Sequence, residues 1–278
     1  MRARRFDVAA EAACGDTVEL KELTNRRGSA VWKATGPVGT VAVKIGYDDG
    51  VAVTLREAAA LATMDLSGYG AVSGPYDGGS WLVTPWFNGP STWKVFTSAR
   101  EGTGGREAAL RGGADLCRSV ADLHASGRIH ADLQPSHGIH TSEGVRLIDF
   151  GWSWHEGQEP VSGFRGGIVH LMAPELAAAV ARRDGPVTPT RRSDTYALAG
   201  VLWTCAAGGW LLDYQAAGID RQAAGPNGVR DAIATGRDSL TPVVWPEFQD
   251  ALRPAISATP EDRPTVGELA ELLLKVEV

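Results

Sequence analysis

Cysteine is scarce in this sequence: Cys14, Cys117 and Cys205 are far apart, odd in number and in no metal-like spacing. That excludes a disulfide framework, and a reducing, cytoplasmic setting is the simplest expectation. Long apolar runs are lacking as well. The most membrane-like window, residues 195–212, is broken by Gly200, Gly208, Gly209 and two threonines and follows Ser193-Asp194. A buried helix with its turn is expected there, and no membrane partner. Positive charge is not in excess, since 27 Lys and Arg against 33 Asp and Glu leave a formal charge of -6. Such a balance gives no footprint for nucleic acid or an anionic membrane. The basic start, Met1-Arg-Ala-Arg-Arg, is like a signal-peptide n-region, but Asp7 and Glu11 interrupt before an apolar run develops. No internal repeat, low-complexity tail or second domain is visible.

What is present points to one stretch. His130-Ala131-Asp132-Leu133-Gln134-Pro135-Ser136-His137 is followed twelve residues later by Asp149-Phe150-Gly151. Val145-Arg146-Leu147-Ile148 reads as a short buried strand that ends on Asp149. Two carboxylates from separate loops suit phosphoryl transfer, in which one group orients the attacking hydroxyl and another holds metal ions against the leaving phosphates. Each Asp alone also has a plain reading as turn chemistry. Together these residues resemble the catalytic loop and metal-binding turn of the eukaryotic-type (Ser/Thr) protein kinase family. The resemblance implies an α+β, bilobal protein kinase-like fold with a small, mainly antiparallel-sheet N-lobe and a larger helical C-lobe. It implies one kinase-like domain over 1–278, with the N-lobe at 18–85 and the C-lobe at 86–278.

The first part of the chain adds family features. Residues 18–23 and 30–34 alternate apolar and polar as strands, and the polar stretch 24–29 reads as the turn between them. In the family this hairpin carries three glycines over the ATP phosphates. Here Thr24, Arg26 and Ser29 stand in their places, and Gly28 is out of register. Backbone amides then approach phosphate less closely. Arg26 and Arg27 either contact phosphates through their guanidinium groups or are solvated. Val41-Ala42-Val43-Lys44 matches the family's Val-Ala-Ile-Lys strand, which makes Lys44 the phosphate-binding lysine. In residues 51–64, Val53, Glu57, Ala60, Leu61 and Met64 fall on one helical stripe. A carboxylate on a buried face needs a cation, so Glu57 is expected to pair with Lys44. Ser80 to Pro90 resembles the last N-lobe strand and hinge, with Thr84 as gatekeeper. Pro85 cannot donate a backbone hydrogen bond, so adenine recognition is expected from the backbone of Trp86 and Phe87. By resemblance, Val31, Ala42 and Ile139 sandwich the ring.

Departures gather in the catalytic loop. Asp132 is the expected base, Ala131 replaces the family's Arg, Gln134 replaces its Lys beside the transferring phosphoryl group, and His137 replaces its second metal ligand, Asn. Loss of the Arg argues against control by activation-loop phosphorylation. Loss of the Lys charge argues for slow turnover. Imidazole is a poor Mg²⁺ ligand and an acceptable Mn²⁺ ligand, so His137 is either a ligand beside Asp149 or a hydrogen-bonded loop residue. Arg106 to Gly127 is helical by period, with Leu110, Ala114, Cys117, Val120, Ala121 and His124 on one face. His170-Leu-Met-Ala-Pro-Glu175 resembles the end of an activation segment, with Glu175 paired to Arg263. Asp194 resembles the cap of a central buried helix that steadies the catalytic loop. Gly- and Pro-rich loops at 184–189 and 225–228 separate later helices, and Val266 to Val278 closes the chain as a helix.

The resemblance implies an ATP- and Mg²⁺-dependent transfer to a hydroxyl, with Mn²⁺ as an alternative metal. Its substrate class is a peptide or protein Ser/Thr, including a precursor peptide by analogy alone. Two other readings stay open. The missing glycines, Gln134 and His137 suit a nucleotide-binding pseudokinase that acts as a scaffold. Gly167-Ile168, where the family has Gly-Thr, suits a small-molecule kinase.

Overall fold

The computed structural model describes residues 5–64, 68–159, 163–183, 185–235, 239–243 and 245–277. Most of the basic start (residues 1–4), Asp184 of the 184–189 loop and Val278 of the closing helix lie outside the described residues. The fold is α+β, an antiparallel sheet followed by a helical region, as the sequence implied. Backbone contacts divide it into two units, Met1–Phe87 with Asp149–Trp152, and Asn88–Ile148 with Ser153–Val278.

The first unit contains helix α1 (Arg5–Cys14), strands β1 (Glu19–Arg26), β2 (Ser29–Gly36) and β3 (Gly39–Tyr47), helix α2 (Gly50–Ala62), and strands β4 (Val72–Tyr76) and β5 (Gly79–Pro85). The strands form one antiparallel sheet in the order β1-β2-β3-β5-β4. Side chains alternate across a strand, so register decides which residues share a face. Ala34, Val41, Val43, Ile45, Trp81 and Val83 pack with Ala10 and Cys14 of α1. Pairing of Val31 with Lys44, Lys44 with Leu82 and Ala42 with Thr84 puts those five residues on the opposite face.

The β1–β2 connection differs from the six-residue polar turn expected. β1 runs to Arg26 and β2 starts at Ser29, which leaves Arg27 and Gly28 as the whole turn. Both have positive φ, 52° and 74°, the two-residue geometry whose twist matches that of the flanking strands. The tip is also tied down. Tyr47 N–H donates to the Gly28 carbonyl at 2.8 Å. A Cβ on Gly28 would meet the Tyr47 carbonyl oxygen at 2.6 Å and Gly50 N at 2.8 Å. The only glycine of this turn therefore serves a close backbone approach to the start of α2.

The second unit is mainly helical. Two helical turns, α3 (Thr92–Val95) and α4 (Thr97–Arg100), lead to α5 (Arg106–Ala125). The short strands β6 (Arg128–Ile129) and β9 (Trp154–His155) pair, as do β7 (Gly138–Thr141) and β8 (Gly144–Leu147). Of the strand expected to be buried throughout, only Leu147 is buried, because β8 is one arm of a two-stranded hairpin. Then follow α6 (Pro174–Arg182), α7 (Arg191–Ala207), α8 (Arg221–Ala234), α9 (Pro246–Ser257) and α10 (Val266–Leu274). Helix α7 is the centre, with Leu198, Ala199, Leu202, Trp203 and Cys205 fully buried. Its cap is not Asp194. Thr190 and Ser193 form a reciprocal capping box, and Asp194 sits one residue inside it. Residues 225–228 are not a separating loop: Gly225, at φ 62° and ψ -178°, and Pro226 kink α8. No described helix is long and apolar enough to cross a membrane.

Candidate active site

In the first unit the site is built around Lys44 on β3. Its Nζ lies 2.6 Å from Glu57 Oε2 and 2.9 Å from Asp149 Oδ1. Glu57 is buried, on the stripe of α2 that faces the sheet. Burial alone would lower the Lys44 pKa, but Glu57 and then Asp149 carry it above its ordinary value. Burial pushes the Glu57 carboxyl up, against the pull of Lys44. Asp149 is the open end of the triad, with 40% of its side chain exposed. Its φ of 66° turns the chain sharply, and Asp is among the few residues that tolerate that region.

Helix α2 grips this turn with more than one side chain. Glu57 Oε1 accepts Phe150 N–H at 3.3 Å, and Arg56 donates to the Gly151 carbonyl at 3.1 Å. The Arg56 guanidinium also lies 4.3 Å from the Trp152 ring centre, a cation–π contact. Tyr69 packs edge-on against Phe150 and Phe87. Arg56, Tyr69 and Trp152 were not marked by the sequence, since none carries a motif and only the fold brings them together.

Around the triad, Val31, Ala42 and Thr84 share the Lys44 face. Trp86 N–H donates to the Thr40 carbonyl at 3.3 Å, so the Trp86 amide expected to read adenine is already engaged in the sheet. Lys33 lies 4.8 Å over the Trp86 ring. Arg26 is exposed at the last position of β1, paired in register with Ser29.

In the second unit the loop bearing Asp132 hangs from Asp194. The Asp194 carboxylate accepts His130 N–H at 2.7 Å, Ala131 N–H at 3.0 Å and His124 Nε2–H at 3.1 Å, and it is 2% exposed. Ala131 is thereby held at φ 64°, a conformation that costs a non-glycine residue about 1–2 kcal/mol. His130 locks the same bend, accepting Asp132 N–H at Nδ1 and donating from Nε2 to the Ile148 carbonyl at 3.1 Å. The Gln134 amide donates to both Asp132 carboxylate oxygens at 3.1 Å. His137 is buried and donates from Nδ1 to the Asp132 carbonyl at 2.8 Å. That bond fixes the imidazole's orientation, the support a metal-ligating histidine needs and a loop histidine can equally have. Ile139 also belongs to this unit, on β7 opposite Arg146.

The remaining family feature of this unit is a two-pronged ion pair. Arg263 donates to Glu175 Oε1 at 2.6 Å and to Oε2 at 2.8 Å. Fork-to-carboxylate pairing of this kind is geometrically specific.

No family model matches the chain. Among curated proteins it is 31% identical over 196 residues to a probable serine/threonine-protein kinase, PkwA, of Thermomonospora curvata, across 68% of this chain. It is 29% identical over 176 residues to a serine/threonine/tyrosine-protein kinase, HT1, of Arabidopsis thaliana, across 62% of this chain. The fold and both relatives are protein kinase-like. The similarity takes in only part of each relative, 23% of the first and 40% of the second. At this level of identity the protein kinase-like chain is a divergent one, and its loop departures are in keeping with that.

Proposed function

We propose that this chain is an ATP-dependent phosphotransferase that moves the γ-phosphoryl group onto a Ser or Thr hydroxyl of a peptide or protein. The observation that carries this reading is Lys44 shared between Glu57 and Asp149, residues 13 and 105 positions away. A buried carboxylate fixes the lysine, and the other is 40% exposed, which suits a carboxylate that would take part in holding a metal. Among the described residues no cluster of three or more metal-ligating side chains occurs. Mg²⁺ binds through one or two carboxylates and otherwise keeps water and phosphate oxygens, so a single exposed carboxylate such as Asp149 would be enough to anchor it. The β1–β2 turn fits less well, because its glycine packs closely against Tyr47 and Gly50 and the turn lacks the family's three glycines.

Lys44 would hold the α and β phosphates, while Asp149, with His137 as a second ligand, would hold the metal. Val31, Ala42, Thr84, Phe87 and Ile139 would line the adenine site, and Arg26 would add charge near the phosphates. The metal ion supplies positive charge against the phosphates when bound. Asp132 would orient the accepting hydroxyl and take its proton at a carboxylate oxygen. Gln134 keeps that carboxylate pointed without adding the charge that a lysine would bring.

Transfer of labelled phosphate from ATP to Ser/Thr peptides tests the assignment. The Asp132→Asn chain should lose at least a hundredfold in rate with an unchanged melting temperature. Asp149→Asn should lose the metal-dependent thermal stabilisation by ATP, roughly 2.7 kcal/mol at a hundred times Kd. Full transfer by Asp132→Asn would overturn the base assignment. The tied-down turn favours a second reading, a nucleotide-binding pseudokinase, for which stabilisation by ATP without any transfer is the expected result.

A further inference from the structure

We propose that a cavity beside Asp132 selects peptides with an anionic side chain close to the accepting hydroxyl, a substrate class that rests on the phosphotransferase reading. The cavity measures about 580 Å³ and lies wholly in the second unit, lined by the Arg165–Met172 segment, the end of α6 and the kinked part of α8. Its described lining includes Arg165, Arg183 and Arg230 and no carboxylate. Since the whole chain carries 33 acidic against 27 basic residues, general composition does not account for three guanidinium groups on one wall.

The three arginines are held differently. Arg230 has only 13% of its side chain exposed, and Asn227 Oδ1 and Asp231 Oδ1 accept from it at 3.1 Å each. Asp231 offsets part of its charge and fixes its plane. Arg165 and Arg183 are exposed, and among the described residues neither is ion-paired. Arg183 ends α6 at φ 58°. Guanidinium forks suit carboxylate and phosphate oxygens. Val169, Met172, Val180 and Val187 supply an apolar wall for the stem of such a side chain.

Gly167 connects this cavity to the candidate base. It lines the cavity, has φ 70°, and a Cβ built on it would lie 2.7 Å from the Ala131 carbonyl oxygen and 3.2 Å from Asp132 Oδ1. Gly166, at φ 85°, lets the same segment close over Met172, whose Cε would meet its Cβ at 2.5 Å. An extended peptide advances about 3.3 Å per residue, so an anionic side chain in the cavity would sit a few residues from a hydroxyl at Asp132.

Fluorescence anisotropy with two otherwise identical Ser-centred peptides, one flanked by Glu and one by Lys, tests this on the whole chain. The Glu peptide should bind at least tenfold tighter. That preference should shrink at least fivefold in Arg165→Glu and in Arg183→Glu, both exposed positions whose variants should keep the parent melting temperature. A phosphoserine peptide that binds tighter than the Glu peptide supports the cavity and names phosphate as the better anion. Equal binding, a preference for Lys, or a Glu preference that survives the Arg165→Glu/Arg183→Glu double variant overturns it. Binding is independent of turnover, so a Glu peptide that binds and takes no label from ATP sinks the phosphotransferase reading and keeps the cavity.

Discussion

Two cation–carboxylate sites, one in each unit, are built on opposite plans. Arg263 meets Glu175 through two parallel hydrogen bonds, and the guanidinium is 2% exposed. Lys44 instead divides one ammonium between two carboxylates, one of them 40% exposed. A planar fork against a carboxylate has a single good arrangement, so the Arg263 pair is suited to staying closed. An ammonium is a point charge with three rotatable donors, and it can release one partner for another anion. The difference separates a pair suited to a structural clasp from one suited to the exchange of ligands that the proposed function requires.

Breaking the clasp should have the largest effect. Glu175→Ala leaves the Arg263 charge buried without its carboxylate, and a loss of about 3–5 kcal/mol in urea denaturation is expected. A loss under about 1 kcal/mol would mean that other groups answer Arg263. Next comes Asp194→Ala, which strands the buried His130 amide and the half-buried Ala131 amide and should destabilise by about 1–3 kcal/mol. Phosphate transfer should fall further than stability, since Ala131 is then released from its left-handed bend.

Lys44→Met should be milder, because the buried Glu57 carboxyl can take up a proton in place of the lost cation. With its folded pKa above the ordinary 4.5, the folded state of this variant binds the proton more tightly than the unfolded state. Its stability should therefore fall as pH rises from about 4.5, while stabilisation by ATP disappears at every pH. A flat profile between pH 5 and 8 would show that Glu57 has another cation.

The smallest effect concerns His170. It stacks on Trp210 with centroids 4.3 Å apart, bonds the Tyr214 hydroxyl at 2.6 Å, and burial with Arg221 nearby lowers its pKa to about 4. The unfolded chain takes up this proton first, so stability should drop as pH falls from 6.5 and level off below about 4. His170→Phe should remove that share of the slope in melting temperature; an unchanged slope would assign it to other groups.

Periodicity made some of this legible in advance. Glu57 stood on an apolar helical stripe, and only a basic partner could account for a carboxylate there. Other features were hidden for physical reasons. β1 is an edge strand exposed on nearly every residue, so residues 24–26 carried no alternation and read as turn. Helix α1 covers the sheet with small residues, Ala9, Ala10 and Cys14, which make a weak stripe. Ser193-Asp194 had the composition of a cap, while the capping hydroxyl lies upstream at Thr190. The cavity lining comes from three distant segments, and no local pattern marks Arg165, Arg183 and Arg230 as neighbours.

The close approach of Gly28 to Gly50 has a mechanical consequence. The hairpin tip and the first turn of α2 form one corner joint, with Tyr47 bonded to the Gly28 carbonyl and to Asn25 Oδ1 on either side of it. A flap hinged in this way does not lift alone. Displacing the hairpin would strain its contact with the first turn of α2, the same helix whose Glu57 and Arg56 hold Lys44 and the Asp149–Trp152 turn.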